Sequence, residues 1–493
     1  MGRFRATHPA PLAVTLVAGA CLVLAGCRSG PRGGPPERPF RAAVPIPEKW
    51  SAKQADSSQV QPWLDDFEAP RLEALVREAF GANFDLRAAA GRVARAAAQA
   101  RVAEADRLPG ADLRVESSRQ KINTFGPRAT GGARFDDNSL DVNIAWELDL
   151  WGKLRDRARA SLAEFRASRE EFRSARLSLA AQVSKAWFDL LEARRQVDIA
   201  ESNARAFAEN ERTLEQRFAR GLAEGLNLRL IRTQAASARA DAAARENARA
   251  EAARRLETLL GRYPADAVEA ASETPRIAEA PPAGLPADLL ARRPDVAAAE
   301  RRLKAARRRL GAAEKELLPA VTLNASGGTS TREFNNLLDR NLTVWSLAGS
   351  LAQPIFQGGR IVAGIDRAKG DYRVALAQYR ETALNAFREA ETALAAAQRL
   401  RRQARQVEKA LEEAEAAETL AWEQYRRGTA DFITALDAQR TAAETRSRRA
   451  SIRNRRLRNR VDLYLALGGP ALPANDRGDG APSPPKDNPQ TLR

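Results

Sequence analysis

Catalysis near neutral pH needs a nucleophile, a proton carrier or a metal ligand, and this chain keeps nearly all of its soft donors at one end. Its single histidine is His8 and its two cysteines are Cys21 and Cys27. Past residue 27 there is no imidazole or thiolate for a zinc site, a Ser-His-Asp triad or a disulfide framework. What remains is charge, Lys+Arg 80 against Asp+Glu 63, a formal net of +17. No paired-carboxylate or phosphate-binding motif stands above that background, so no enzyme, cofactor or metal is expected. A hydrophobic fraction of 44% in 493 residues, supplied largely by alanine, does not fill several thick cores and points to an elongated molecule.

Cys27 is the one thiol with a clear chemical setting. Arg3 and Arg5 precede a largely apolar stretch from Pro11 to Leu24, which ends in Leu24-Ala25-Gly26-Cys27. This is the pattern of a secretory signal, and the run is shorter than the roughly 18 residues of a membrane-spanning helix. The four residues resemble a bacterial lipobox, in which the cysteine becomes thioether-linked to diacylglycerol. An ordinary signal peptide with an incidental cysteine is the plainer alternative. Arg28 follows Cys27 where an aspartate would resemble an inner-membrane retention signal, so the outer membrane is favoured.

The remaining charged residues lie on long repetitive segments. No proline interrupts Ile355 to Gly469, and the series Phe387, Ala390, Leu394, Ala397, Leu400, Ala404, Val407, Leu411, Ala414, Ala417, Ala421, Tyr425 advances by 3 or 4 residues. That period predicts a coiled-coil-like helix from about Gly359 to Tyr425, roughly 100 Å long at 1.5 Å per residue. A similar segment runs from about Gly152 to Phe218. Each ends at an Arg-Gly pair, Arg220-Gly221 or Arg427-Gly428, and a return helix then finishes at Leu260-Gly261 or Leu467-Gly468. Upstream, Leu108-Pro109 is echoed by Leu318-Pro319, and Ala145 to Gly152 by Ser350 to Gly358, so the chain is two related halves. Each half also offers two alternating strands of about 10 residues, as membrane barrels use. In the first these are Leu113 and Val115, then Leu140 to Leu150 by twos. In the second they are Val321, Leu323 and Ala325, then Leu342 and Val344, followed by Trp345, Leu347 and Leu351 with a change of face. Four strands cannot close a barrel, and an open edge in lipid is prohibitive, so other subunits must complete it.

These features resemble the TolC-like outer-membrane efflux proteins, in particular the lipid-anchored outer-membrane subunits of drug-efflux pumps. The matching stretches are Trp146 to Gly152, Leu285 to Leu303, Leu317-Leu318-Pro319, Gln353 to Phe356 with Gly358-Gly359, and Tyr425 to Gln439. They cover the region from about residue 47 to 469. The resemblance implies a mainly α fold with a small β part: long helical hairpins forming a periplasmic tunnel, and four β-strands per subunit contributing to a trimeric 12-stranded outer-membrane β-barrel. It implies a homotrimer partnered by a periplasmic adaptor protein and an inner-membrane transporter of the RND type, passively exporting small molecules. The division expected is a signal peptide at 1–26, a lipid-anchored extended segment at 27–68, repeats at 69–262 and 287–468 joined by an equatorial linker at 263–286, and a disordered tail at 469–493.

The resemblance also assigns sites. The hairpin tips, Arg220, Gly221, Leu222 and Ala223 with Arg427, Gly428, Thr429 and Ala430, match an adaptor-contact motif, although each glycine also serves simply to end a helix. Asp437 matches an acidic constriction residue, where three symmetry-related carboxylates would bind cations and bias a gate; a solvated aspartate on a helix face is the alternative. Aligning on the shared glutamine gives Arg232 as a closed-state partner for Asp437, whereas counting from the tip glycines gives Leu230. The arginine-dense stretches at 307–309 and 453–460 read as solvated helix faces, since an exported chain with few interleaved aromatics is no nucleic-acid binder. Trp146 and Trp151 suit either an interfacial belt or ordinary packing. The competing readings are a type I protein-secretion duct and, from another class, a periplasmic coiled-coil scaffold or nucleic-acid-binding rod without a pore.

Overall fold

Runs of alanine, arginine, glutamate and leucine lose little side-chain freedom in a helix, and they become the frame of the molecule. The computed structural model describes residues 50–51, 63–122, 132–269, 275–277 and 286–469. The expected signal peptide, His8, Cys21, Cys27, most of the segment expected to be anchored and the tail beyond Gly469 lie outside the described residues.

The first half runs α1 (Pro70–Ala82), α2 (Phe84–Ala105), β1 (Gly110–Ile122), β2 (Ala133–Leu148), α3 (Lys153–Ala219) and α4 (Gly225–Leu259). The second repeats that order as α5 (Pro286–Arg292), α6 (Pro294–Glu314), β3 (Ala320–Thr331), β4 (Thr343–Ala352), α7 (Arg360–Arg427) and α8 (Phe432–Leu467). The long helices have 67 and 68 residues and their return arms 35 and 36, so the two hairpins match in length. α3 packs against both α4 and α8, and α8 against α7, which lays four rods in the order α4-α3-α8-α7. α2 lies along α3, and α6 packs against both α3 and α7.

The thickest core lies where residues 63–67, α1 and α2 meet α3, α4 and α8. Trp63, Phe67, Trp187, Phe188 and Tyr464 are buried there, and Trp63 stacks on Tyr464 at 6.0 Å. Asp66 accepts hydrogen bonds from Arg460 at 2.7 Å and from the Tyr464 hydroxyl, tying the N-terminal stretch to α8. Past α4 the chain folds back on its own helix, because the buried Glu257 carboxylate accepts the backbone N–H groups of Asp266, Ala267 and Val268.

The sheet is antiparallel in the order β1-β2-β3-β4. Its strands have 13, 16, 12 and 10 residues, so three exceed the length that alternation predicts. Two assignments shift. Leu150 falls beyond β2, and the Asp149 carboxylate instead accepts from the N–H groups of Leu154 and Arg155 at the start of α3. Leu342 closes a 3-10 turn before β4, which removes the apparent change of face: β4 turns Trp345, Leu347 and Leu351 one way and Val344 the other. In the long seam Ala417 is exposed, and half-buried Glu418, which accepts from Arg446, stands nearer that line.

Candidate functional site: a barrel wall and two hairpin tips

Strand register decides which residues share a surface. Leu113 lies opposite Val142, Ile144 opposite Ala325, and Ala325 opposite Leu347; Trp146 meets Leu323 and Val321 meets Leu351. Every apolar side chain of valine size or larger on the four strands, except Val344 and those nearest the β1-β2 turn, therefore belongs to one face. That face is open to its surroundings, with Trp345 79%, Leu347 73% and Leu351 69% exposed. A continuous exposed apolar surface of this kind needs a non-aqueous partner. The opposite face carries Thr322 bonded to Ser350 at 2.6 Å and Ser326 to Ser346 at 2.8 Å, with Ser330 donating to Asp137 at 3.0 Å. One face suits lipid and the other water, as in a membrane barrel wall. Among the described residues no helix is long and apolar enough to cross a membrane, so the membrane-compatible surface is the sheet.

Close approach between β2 and β3 is set by Gly328, where a Cβ would lie 2.0 Å from the Leu140 carbonyl oxygen. Both tryptophans at strand ends hold backbone: Trp146 donates to the Arg107 carbonyl at 2.9 Å and Trp151 to the Pro319 carbonyl at 2.7 Å. The outer edges of β1 and β4 pair with no other strand among the described residues.

At the other end each hairpin turns through a glycine in the left-handed region, Gly221 at φ 73° and Gly428 at φ 78°. Leu222 N–H donates to Arg217 O and Gly221 N–H to Phe218 O, and the same pair of bonds recurs from Thr429 to Gln424 and Gly428 to Tyr425. These are Schellman caps that satisfy the last carbonyls of α3 and α7. Arg220, Gly221, Leu222, Arg427, Gly428 and Thr429 are exposed, while Ala223 and Ala430 are half-buried. The helix-ending role of the glycines is thus seen directly, and their surfaces remain open.

Behind the tips Phe207, Leu214, Leu228, Ile231, Phe432 and Leu436 form a buried cluster that joins the two hairpins. Trp422, Tyr425 and Phe432 contact one another edge to face, and Arg217 lies 5.0 Å over the Tyr425 ring. Burial pushes the Tyr425 hydroxyl pKa up, against an opposing influence from Arg217. Asp431 caps α8 by accepting from Thr434 N–H at 2.7 Å, and that bond holds its carboxyl below the usual range. Neither the aromatic trio nor this cap features in the sequence reading, although Trp422-x-x-Tyr425 before the glycine and Asp431-x-x-Thr434 after it are visible signals.

Asp437 is exposed one turn beyond the cap. Two residues on, the buried Gln439 accepts from Asn210 and Trp422, both at 3.1 Å. Arg232 donates to Glu215 at 2.6 Å and lies 3.8 Å from Glu211, because α4 runs beside the acidic side of α3. No ion pair joins Arg232 to Asp437 within the chain. Leu230, the residue as far from its tip glycine as Asp437 is from Gly428, packs against the tip cluster.

A wall segment with one lipid-facing side, continued by paired rods, is the architecture of an outer-membrane channel subunit. The family model described as "Outer membrane efflux protein" matches residues 75–262 and 285–469, and the chain belongs to that family. It is 32% identical over 460 residues to the pyoverdine export outer membrane protein OpmQ of Pseudomonas aeruginosa, covering 91% of this chain and 95% of that protein. The cation efflux system protein CusC of Escherichia coli O6:H1 is 30% identical, with 91% and 96% covered. Among solved structures, the outer-membrane channel OprN superposes with a TM-score of 0.81 at 28% identity, covering 87% of this chain and 98% of that one. CusC superposes at 0.78 and 28%, covering 87% and 97%. The chain is therefore an outer-membrane efflux channel protein, and its mainly helical fold with a four-stranded sheet is as the sequence predicts.

Proposed function

We propose that three copies of the chain close a 12-stranded barrel in the outer membrane and that their hairpins continue it as a tunnel into the periplasm. The observation that carries this reading is a four-stranded sheet with one apolar face and two outer edges that no described strand covers. Unpaired backbone groups in lipid cost several kcal/mol each, so a row of them along each outer edge requires closure by further strands. In this reading residues 69–262 and 287–468 are the two repeats. Cys27 carries acyl chains that anchor each subunit, and replacing it with alanine removes the lipid from the N-terminal peptide in a mass spectrum.

The duct is passive and takes its cargo from an inner-membrane transporter of the RND type through a periplasmic adaptor. The adaptor docks on the exposed tips around Gly221 and Gly428. The relatives' names mention pyoverdine, solvent and cations, which fits a duct whose selectivity resides mainly in the transporter. Planar-bilayer recording tests the proposal: a duct gives discrete conductance steps, and a protein that never conducts is a scaffold.

A further inference from the structure

Five arginines of α8, Arg446, Arg449, Arg453, Arg456 and Arg460, follow one another at alternating steps of 3 and 4 residues and so share one stripe of the helix. Most of them meet an acid from a neighbouring element. Arg446 bonds Glu415 and Glu418, each at 2.8 Å, Arg449 bonds Glu408 at 2.9 Å, and Arg460 bonds Asp66 at 2.7 Å. The two in the middle do not: Arg453 and Arg456 have no ion pair or hydrogen bond among the described residues. The reason is visible on α7, where Glu415 and Glu408 are seven residues apart and the next position in that series is Arg401, a reversal of sign. Glu408, the one acid that acts on Arg453, is already held by Arg449. Burial, reinforced by neighbouring arginines, lowers the pKa of both guanidinium groups.

Neighbouring guanidinium groups, here Arg456 half-buried and Arg453 exposed on the single chain, repel one another unless a negative group lies among them, and their planar forks suit an oxyanion. We propose that the gap in this ladder is an anion site, in which Arg453 and Arg456 bind a small oxyanion of the sulfate, phosphate or carboxylate class. The bound anion supplies the charge that Arg401 displaces and clamps α8 to α7 along the middle of the hairpin. The site stands apart from the tips, the sheet and Asp437, and its proposed role does not depend on which cargo the duct carries.

Titration calorimetry of sodium sulfate into the detergent-purified full chain, at ionic strength held constant with sodium chloride, tests the site. The parent shows saturable binding, R453Q/R456Q binds about tenfold more weakly or not at all, and R448Q/R455Q, on another stripe of α8, binds like the parent. R401E restores the missing acid: it loses sulfate binding and, in chloride alone, unfolds at a higher temperature than the parent. Should R453Q/R456Q fail to fold, R401E carries the test by itself. Absence of saturable binding in the parent overturns the proposal, as does undiminished binding in R453Q/R456Q or R401E.

Discussion

Asp431 holds the start of α8 through a bond to the Thr434 N–H. Its folded pKa is lowered, so its contribution to stability is complete above the unfolded carboxylate value of about 3.9 and is lost as pH falls through the folded value. Asp431→Ala should therefore speed amide exchange around residues 432–435 at neutral pH, leave the first tip unchanged, and differ less from the parent as pH falls below the ordinary carboxylate range and through the lowered folded value. Asp437 has no partner among the described residues, and if three of them surround the axis, Asp437→Ala lowers the cation preference of the single-channel current. An unchanged current would make Asp437 a solvated residue only. Arg232→Ala should leave that preference alone, because its charge is already spent on Glu215.

At the scale of elements, the tip glycines and the wall glycine fail differently when substituted. Gly221 and Gly428 have nothing within 4 Å of an added Cβ, so leucine at both costs about 1–2 kcal/mol each in backbone strain without a clash. The double variant should stay assembled in the membrane yet lose co-purification with the adaptor; retained co-purification would remove the tips from the interface. At Gly328 a Cβ would run into the Leu140 carbonyl. Gly328→Val should part β2 from β3 at a cost of about 3 kcal/mol or more and sharply reduce the fraction inserted, read by membrane fractionation. Helices were the most legible elements, since a 3.5-residue period sustained from Phe387 to Tyr425 averages out local noise; the expected 359–425 and 152–218 became Arg360–Arg427 and Lys153–Ala219. Strand ends were less so. Leu342 and Leu150 continue an apolar alternation that turn geometry and the Asp149 cap override. The tip cluster was hidden for another reason: it joins Phe207 to Phe432 across two hairpins, and no local period reports a contact between residues so far apart.

For the whole molecule, the repeat explains how one chain builds the same motif twice, with two strands and one hairpin from each half. Among the described residues no further strand pairs with the outer edge of β1 or β4, and α4 and α7 stand at the two ends of the row of four rods. A sheet that is apolar on one face and polar on the other has a stable place in lipid only when its edges meet, and a chain with four strands meets that condition by repetition around an axis. Native mass spectrometry of the detergent-purified protein tests this most directly. The account predicts a dominant species of three chains that survives removal of the detergent shell, and a population that is monomeric under the same conditions would contradict it.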